Sequence, residues 1–125
     1  MKQAFNPEAL PRPGGAYSLV VRKGNMVFVA GLVGMDPERQ LAGDDIRSQT
    51  VKALENLRGA LAASGATVDD VCSVNVFLAN ADRDFAQFND VYGQFFTSDP
   101  PARATVEAGI PGGALVEIQA VAVLG

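Results

Sequence analysis

Histidine is absent from the 125-residue chain, and that absence removes more chemistry than any other feature of its composition. Without an imidazole there is no Ser-His or Cys-His nucleophile pair and no histidine metal ligand. Acid–base work falls to a carboxylate, Tyr17, Tyr92, a lysine or water. Cysteine occurs once, which excludes an intramolecular disulfide and suits a reducing cytosol. That residue, Cys72, falls on the apolar phase of a strand expected over 71–79, with Val74, Val76 and Leu78, and reads as a buried structural thiol. No apolar run approaches the ~20 residues of a membrane-crossing helix. The opening stretch, Met1-Lys2-Gln3-Ala4-Phe5-Asn6-Pro7, lacks the h-region of a signal peptide. Runs of Lys or Arg are missing too: ten basic residues stand against fourteen acidic ones, for a net charge of −4. A nucleic-acid groove is therefore disfavoured, because phosphate neutralisation supplies most of that affinity. Gly14-Gly15 and Gly112-Gly113 have neither P-loop nor G-x-G-x-x-G spacing, so phosphate binding carries little weight.

What remains is apolar and periodic. Apolar residues make up 48% of a chain of single-domain length, more than one ordinary core of this size requires, which implies burial between subunits. No repeat, low-complexity tract or linker divides it, so residues 1–125 read as one domain. Residues 6–15 are extended and turn-rich. Segments 16–22 and 26–33, joined at Lys23-Gly24-Asn25, look like a hairpin. A helix is expected over about 44–63, with a stripe of Ile46, Thr50, Ala53, Leu54, Leu57 and Leu61, opened by Asp44 or Asp45 and stopped at Gly65. After strand 71–79 comes a second helix, about 82–96, with Asp82 as N-cap and Phe85, Phe88, Val91, Tyr92 and Phe95 on its apolar side. Strands over 102–107 and 114–124 complete a β-β-α-β-α-β-β order. That is an α+β sheet with two helices on one face. The other face would keep Val27, Val29, Phe77, Val121 and Val123 beside Arg103, Glu117 and Gln119. A face half apolar and half polar calls for a partner, most simply another copy of the chain.

The most informative stretch is Pro100-Pro101-Ala102-Arg103-Ala104-Thr105-Val106, with Glu117 fourteen residues past the arginine. Strand alternation places Ala102, Ala104 and Val106 on one face and Arg103, Thr105 and Glu107 on the other. In the final strand Val116, Ile118, Ala120, Ala122 and Leu124 share a face, opposite Glu117 and Gln119. If both apolar phases cover the core, Arg103 and Glu117 point together off its far side. Two readings are open. The pair can be a salt bridge on a solvated sheet, or an arginine fork for a carboxylate with an acid able to move protons on what the fork holds. Gly31, inside a strand, marks either a bulge or a close approach by a ligand.

Seven segments in order resemble the RidA family of imine deaminases, also called the YjgF family. They are Gly15-Ala16-Tyr17-Ser18; Gly24-Asn25-Met26-Val27-Phe28-Val29-Ala30-Gly31; Gln49-Thr50-Val51-Lys52-Ala53-Leu54-Glu55-Asn56-Leu57; Val76-Phe77-Leu78; Phe88-Asn89-Asp90-Val91-Tyr92; Pro101-Ala102-Arg103-Ala104-Thr105-Val106; and Gly113-Ala114-Leu115-Val116-Glu117-Ile118. The resemblance runs nearly end to end.

It implies a chorismate-mutase-like fold and a cytoplasmic homotrimer whose sheets form a central barrel, with three clefts between subunits. It also implies hydrolysis of enamine/imine intermediates of the 2-iminopropanoate and 2-iminobutanoate type to 2-oxo acids and ammonia, with no metal or organic cofactor. In that frame Arg103 would hold the substrate α-carboxylate and Glu117 would activate the attacking water or carry its proton. Tyr17, Asn89 and Thr105 would line the cleft, and backbone near Gly31 would orient the substrate. The chain departs from the family at Ala16, Ala30 and Leu32, where relatives have Pro, Ser and Gln, and at Gln119, where a second glutamate is common. Missing polar groups at Ala30 and Leu32 imply a wall more tolerant of apolar side chains. They keep open a pathway-specific deaminase of the aminoacrylate or aminomuconate type. A non-catalytic trimer binding small carboxylates is the rival from another class. Ribonuclease activity, sometimes attributed to the family, is disfavoured by the acidity and the missing histidine.

Overall fold

The computed structural model describes all residues, Met1–Gly125. Six strands and two helices follow in the order β1 (Gln3–Phe5), β2 (Val20–Lys23), β3 (Met26–Val33), α1 (Ile46–Ala63), β4 (Val71–Leu78), α2 (Ala81–Phe95), β5 (Ala102–Glu107) and β6 (Val116–Val123). They form one mixed sheet, ordered β1-β2-β3-β6-β4-β5. Both helices pack on the same face. Every strand pair is antiparallel except β4 and β5, and α2 is the crossover that a parallel pair requires.

The two helices begin for local reasons. The Asp45 side chain accepts the Ser48 N–H at 2.9 Å and caps α1. The Asn80 side chain accepts the Arg83 N–H at 3.1 Å and caps α2. Asp82, expected as that cap, lies inside the first turn instead, where its charge still favours the positive end of the helix dipole. The expected α1 stripe is buried throughout, and it meets Val27, Val29, Val74, Val76, Ile118 and Ala120 from the sheet. Two buried amides tie α1 to the segments that carry the site. Gln49 accepts the Leu115 N–H at 2.8 Å, just before β6. Asn56 donates to the carbonyls of Val33 and Met35 at 3.0 and 2.9 Å, at the end of β3.

Four expectations change. The short β1 pairs with β2 and was not anticipated, and β2 starts at Val20, so the hairpin is shorter than 16–22 implied. Val27 and Val29 face the helices, since their partners Ala122 and Ala120 lie on the core phase of β6. Segment 26–33 is apolar on both phases, so alternation could not choose between them. The outer face is nonetheless apolar, carrying Phe28 at 44% and Val106 at 50% exposure along with Met26, Val121 and Val123. Cys72 is exposed. Its strand shifts register between Val71 and Ser73, and that irregularity turns Cys72 out of the core phase to which Val71 and Val74 belong.

Candidate active site

Strand β5 runs parallel to β4 in a register that pairs Val74 with Arg103 and Val76 with Thr105. Val74 and Val76 are buried beneath the helices, and paired residues project to the same face. Arg103 and Thr105 therefore project toward α2. The Arg103 guanidinium carbon lies 4.7 Å from the ring centroid of Tyr92, 5.6 Å from that of Phe88 and 5.9 Å from that of Phe85. A cation over three rings gains from their quadrupoles, but a ring face leaves its N–H donors free for an anion.

No carboxylate of the chain takes those donors. The two ion pairs are Arg47 with Asp90, and Arg83 with the buried Asp84, the latter bound through Nε and Nη2 at 2.8 and 2.9 Å. Two buried hydroxyls near Arg103, Tyr92 Oη and Thr105 Oγ1, likewise have no hydrogen-bond partner. Burial raises the pKa of Tyr92, and the neighbouring Arg103 draws it partly back, through its charge and through an N–H that approaches the hydroxyl without closing a full hydrogen bond. An arginine fork without an acid, beside hydroxyls without partners, has the makings of a carboxylate receptor.

Glu117 lies on β6 opposite Val33 of β3 and Phe77 of β4, on the sheet face away from the helices. The register of β3 shifts between Val29 and Leu32, so Ala30 and Gly31 together oppose Gln119. This bulge brings the Gly31 backbone against the Glu117 side chain. Glu117 is half-buried, has no cation beside it, and its pKa is raised above the ordinary 4.5 by loss of solvent alone. A small cavity of about 40 Å³ adjoins Gly31 and is lined also by Tyr17, Arg12, Arg39 and Val33. The Tyr17 hydroxyl accepts the Gly14 N–H at 3.1 Å while its ring stays half-exposed.

Within one chain, then, the expected residues fall into two groups. Arg103 and Thr105 belong to the helix side of the sheet, and Asn89 is exposed on α2 next to Phe88. Glu117, Gly31 and Tyr17 belong to the opposite side or its rim. The expectation that Arg103 and Glu117 share a face is wrong. It assumed that the apolar phase of 102–107 covers the core. On this edge strand the small residues Ala102 and Ala104 and the exposed Val106 face outward, because the aromatic flank of α2 accepts the arginine stem and fork. Leu32 is also corrected: at 3% exposure it belongs to the core, although its side chain also lines the small cavity beside Gly31. Sequence reading missed Tyr92 as a neighbour of Arg103. Its helical spacing with Phe88 and Phe96 reads as core, and only its hydroxyl signalled otherwise. No group of three or more Asp, Glu, Cys or His side chains is placed to hold a metal ion.

With this geometry in view, three comparisons bear on the chain. A family model described as Endoribonuclease L-PSP matches residues 7–124. A RutC family protein of Pyrococcus horikoshii is 39% identical over 124 residues, covering 98% of each chain. A protein of Dermatophagoides farinae named 2-iminobutanoate/2-iminopropanoate deaminase is 38% identical, covering 98% of this chain and 97% of its own. Among solved structures, E. coli TdcF with bound serine superposes with a TM-score of 0.92 at 30% identity, over 98% of this chain and 99% of that one. End-to-end coverage at these identities, on a six-stranded sheet with two helices over one face, makes this chain a member of the RidA/YjgF family, the family of the L-PSP model.

Proposed function

We propose that the protein is a cofactor-independent deaminase of small 2-imino acids, working in clefts between the copies of a cytoplasmic homotrimer. The observation that carries this reading is Arg103, a fork with no acid partner beside two unsatisfied hydroxyls. The raised pKa of Glu117 supports it further. A group meant only for structure gains nothing from burial without a donor, whereas a general base benefits from a pKa nearer neutrality. Since the two residues lie on opposite faces of one sheet, a site using both needs a second copy. The exposed apolar residues Phe28 and Val106 offer a surface for such a copy. TdcF holds serine, an α-amino carboxylate, which fits the chemistry assigned to Arg103.

In the proposed reaction Arg103 fixes the α-carboxylate of R–C(=NH)–COO⁻. Glu117 takes a proton from water as the water oxygen attacks the imine carbon and gives it to the nitrogen, forming the carbinolamine R–C(OH)(NH₂)–COO⁻. It then carries the carbinolamine hydroxyl proton to the same nitrogen. The C–N bond breaks, ammonia leaves and R–C(=O)–COO⁻ remains; the sum is imine plus water giving 2-oxo acid plus ammonia. The non-catalytic alternative, a trimer that only binds carboxylates, explains Arg103 but leaves the desolvated Glu117 without a use. Release of ammonia from enzymatically generated 2-iminopropanoate tests the proposal. Acceleration over the uncatalysed rate supports it, and an unchanged rate alongside retained 2-oxo acid binding would favour the receptor.

A further inference from the structure

Tyr92 is held rigidly beneath Arg103. Its ring packs against Phe88 and Phe96, with centroids 5.4 and 4.8 Å away, and the residue is only 5% exposed. Its hydroxyl is closed to solvent and closes no full hydrogen bond. A tyrosine kept for packing gains nothing over phenylalanine in such a place, because its hydroxyl gives up hydration and receives no hydrogen bond in return. Thr105 Oγ1, on the same face of β5 and two residues from Arg103, is in the same condition.

The guanidinium lies over the Tyr92 ring and within reach of the phenolic oxygen at its edge, without closing a full hydrogen bond to it. Its charge is nevertheless close enough to draw the hydroxyl pKa down. A bidentate grip on a carboxylate uses two of the five donors of an arginine, and the inner ones need acceptors of their own.

We propose that Tyr92 is a positioning residue for Arg103: as a substrate carboxylate occupies the outer edge of the guanidinium, the fork tilts so that an inner N–H donates to Tyr92 Oη, and this bond fixes the plane in which the carboxylate is held. The proposal rests on the carboxylate-binding reading of Arg103. It ties substrate binding to a hydrogen bond that is not fully closed in the empty chain. Replacing Tyr92 by phenylalanine keeps the ring, costs the empty protein nothing and weakens only the loaded state.

The test measures the affinity of the full-length protein for pyruvate, a product-like 2-oxo acid, by calorimetry, together with Tm, for wild type, Tyr92→Phe and Arg103→Gln. Tyr92→Phe is expected to melt at the wild-type temperature or higher and to bind pyruvate about tenfold more weakly, the effect of one hydrogen bond to a charged group. Its KM for the imine should rise by a similar factor while kcat changes less. Arg103→Gln should abolish pyruvate binding. Wild-type affinity in Tyr92→Phe, with binding lost in Arg103→Gln, overturns the role of Tyr92 and leaves the carboxylate site standing. A lower Tm in Tyr92→Phe shows that the hydroxyl already has a partner, which also overturns it. Pyruvate binding unaffected by Arg103→Gln, or absent from wild type, removes the carboxylate reading and this proposal with it.

Discussion

The Glu117 side chain fills the space that a side chain at Gly31 would need: a Cβ placed there falls 2.6 Å from Oε2 and 2.8 Å from Cδ of the glutamate. The backbone at Gly31 is not in the left-handed region, so glycine is required by the carboxylate and not by the chain's path. The β3 bulge, the missing side chain and the raised pKa of Glu117 are one arrangement: backbone pressed against an acid, with solvent displaced from it.

Gly31→Ala should therefore act on Glu117 and leave the fold intact. The contact is with the mobile end of a side chain, so the acid can swing aside while the sheet stays paired. Activity should fall by roughly ten- to a hundredfold, the scale set by misplacing a reacting group by about an ångström. Circular dichroism and Tm close to wild type, combined with that loss in kcat, are the expected result.

The pH dependence follows from the direction of the Glu117 shift. Its folded pKa lies above the ordinary 4.5 because burial disfavours the charged form. A base must be ionised, so the acid limb of the kcat/KM profile should fall at a pH above 4.5 and disappear in Glu117→Gln. Stability has the opposite sense. The folded state holds this proton more tightly than the unfolded one, so the contribution is present at pH below 4.5 and lost as pH rises through the folded pKa. Glu117→Gln should then melt higher than wild type at neutral pH, and the gap should close on acidification. Thermal scans at several pH values check this.

Much of the fold was legible because helix stripes and caps are local. Asp45, Leu54, Leu57 and Leu61 sit where periodicity put them, and β5 keeps the bounds expected for it. The facing of strands was less legible. Segment 26–33 is apolar on both phases; the expectation put Val27 and Val29 on the outer face, and pairing with Ala122 and Ala120 moves them to the core. The same limit governs the site. Arg103 and Glu117 were identifiable by residue type and position, but their faces depend on the parallel register of β5 and on the aromatic flank of α2, both long-range features. Cys72 was misplaced by a register shift that no sequence period signals.

The outer apolar face gives a prediction about assembly. The protein should run in light scattering at about three times its 13.1 kDa chain mass. Phe28→Asp, which places a charge among Met26, Val121 and Val123, should dissociate the particle without unfolding the monomer, since Phe28 is outside the core. A wild-type particle of single-chain mass would remove the surface on which a shared site depends.

Subunit mixing tests most directly whether Arg103 and Glu117 serve one site from two copies. Arg103→Ala and Glu117→Ala are each inactive in this account. Unfolded together in equal amounts and refolded, they should form mixed trimers. Each site draws its arginine from one copy and its glutamate from the next, so one site in each mixed trimer, about a quarter of all sites, would hold both groups. The predicted result is imine hydrolysis at about a quarter of the wild-type rate, recovered from two inactive proteins. Mixed trimers without activity, verified by mass, would contradict the account.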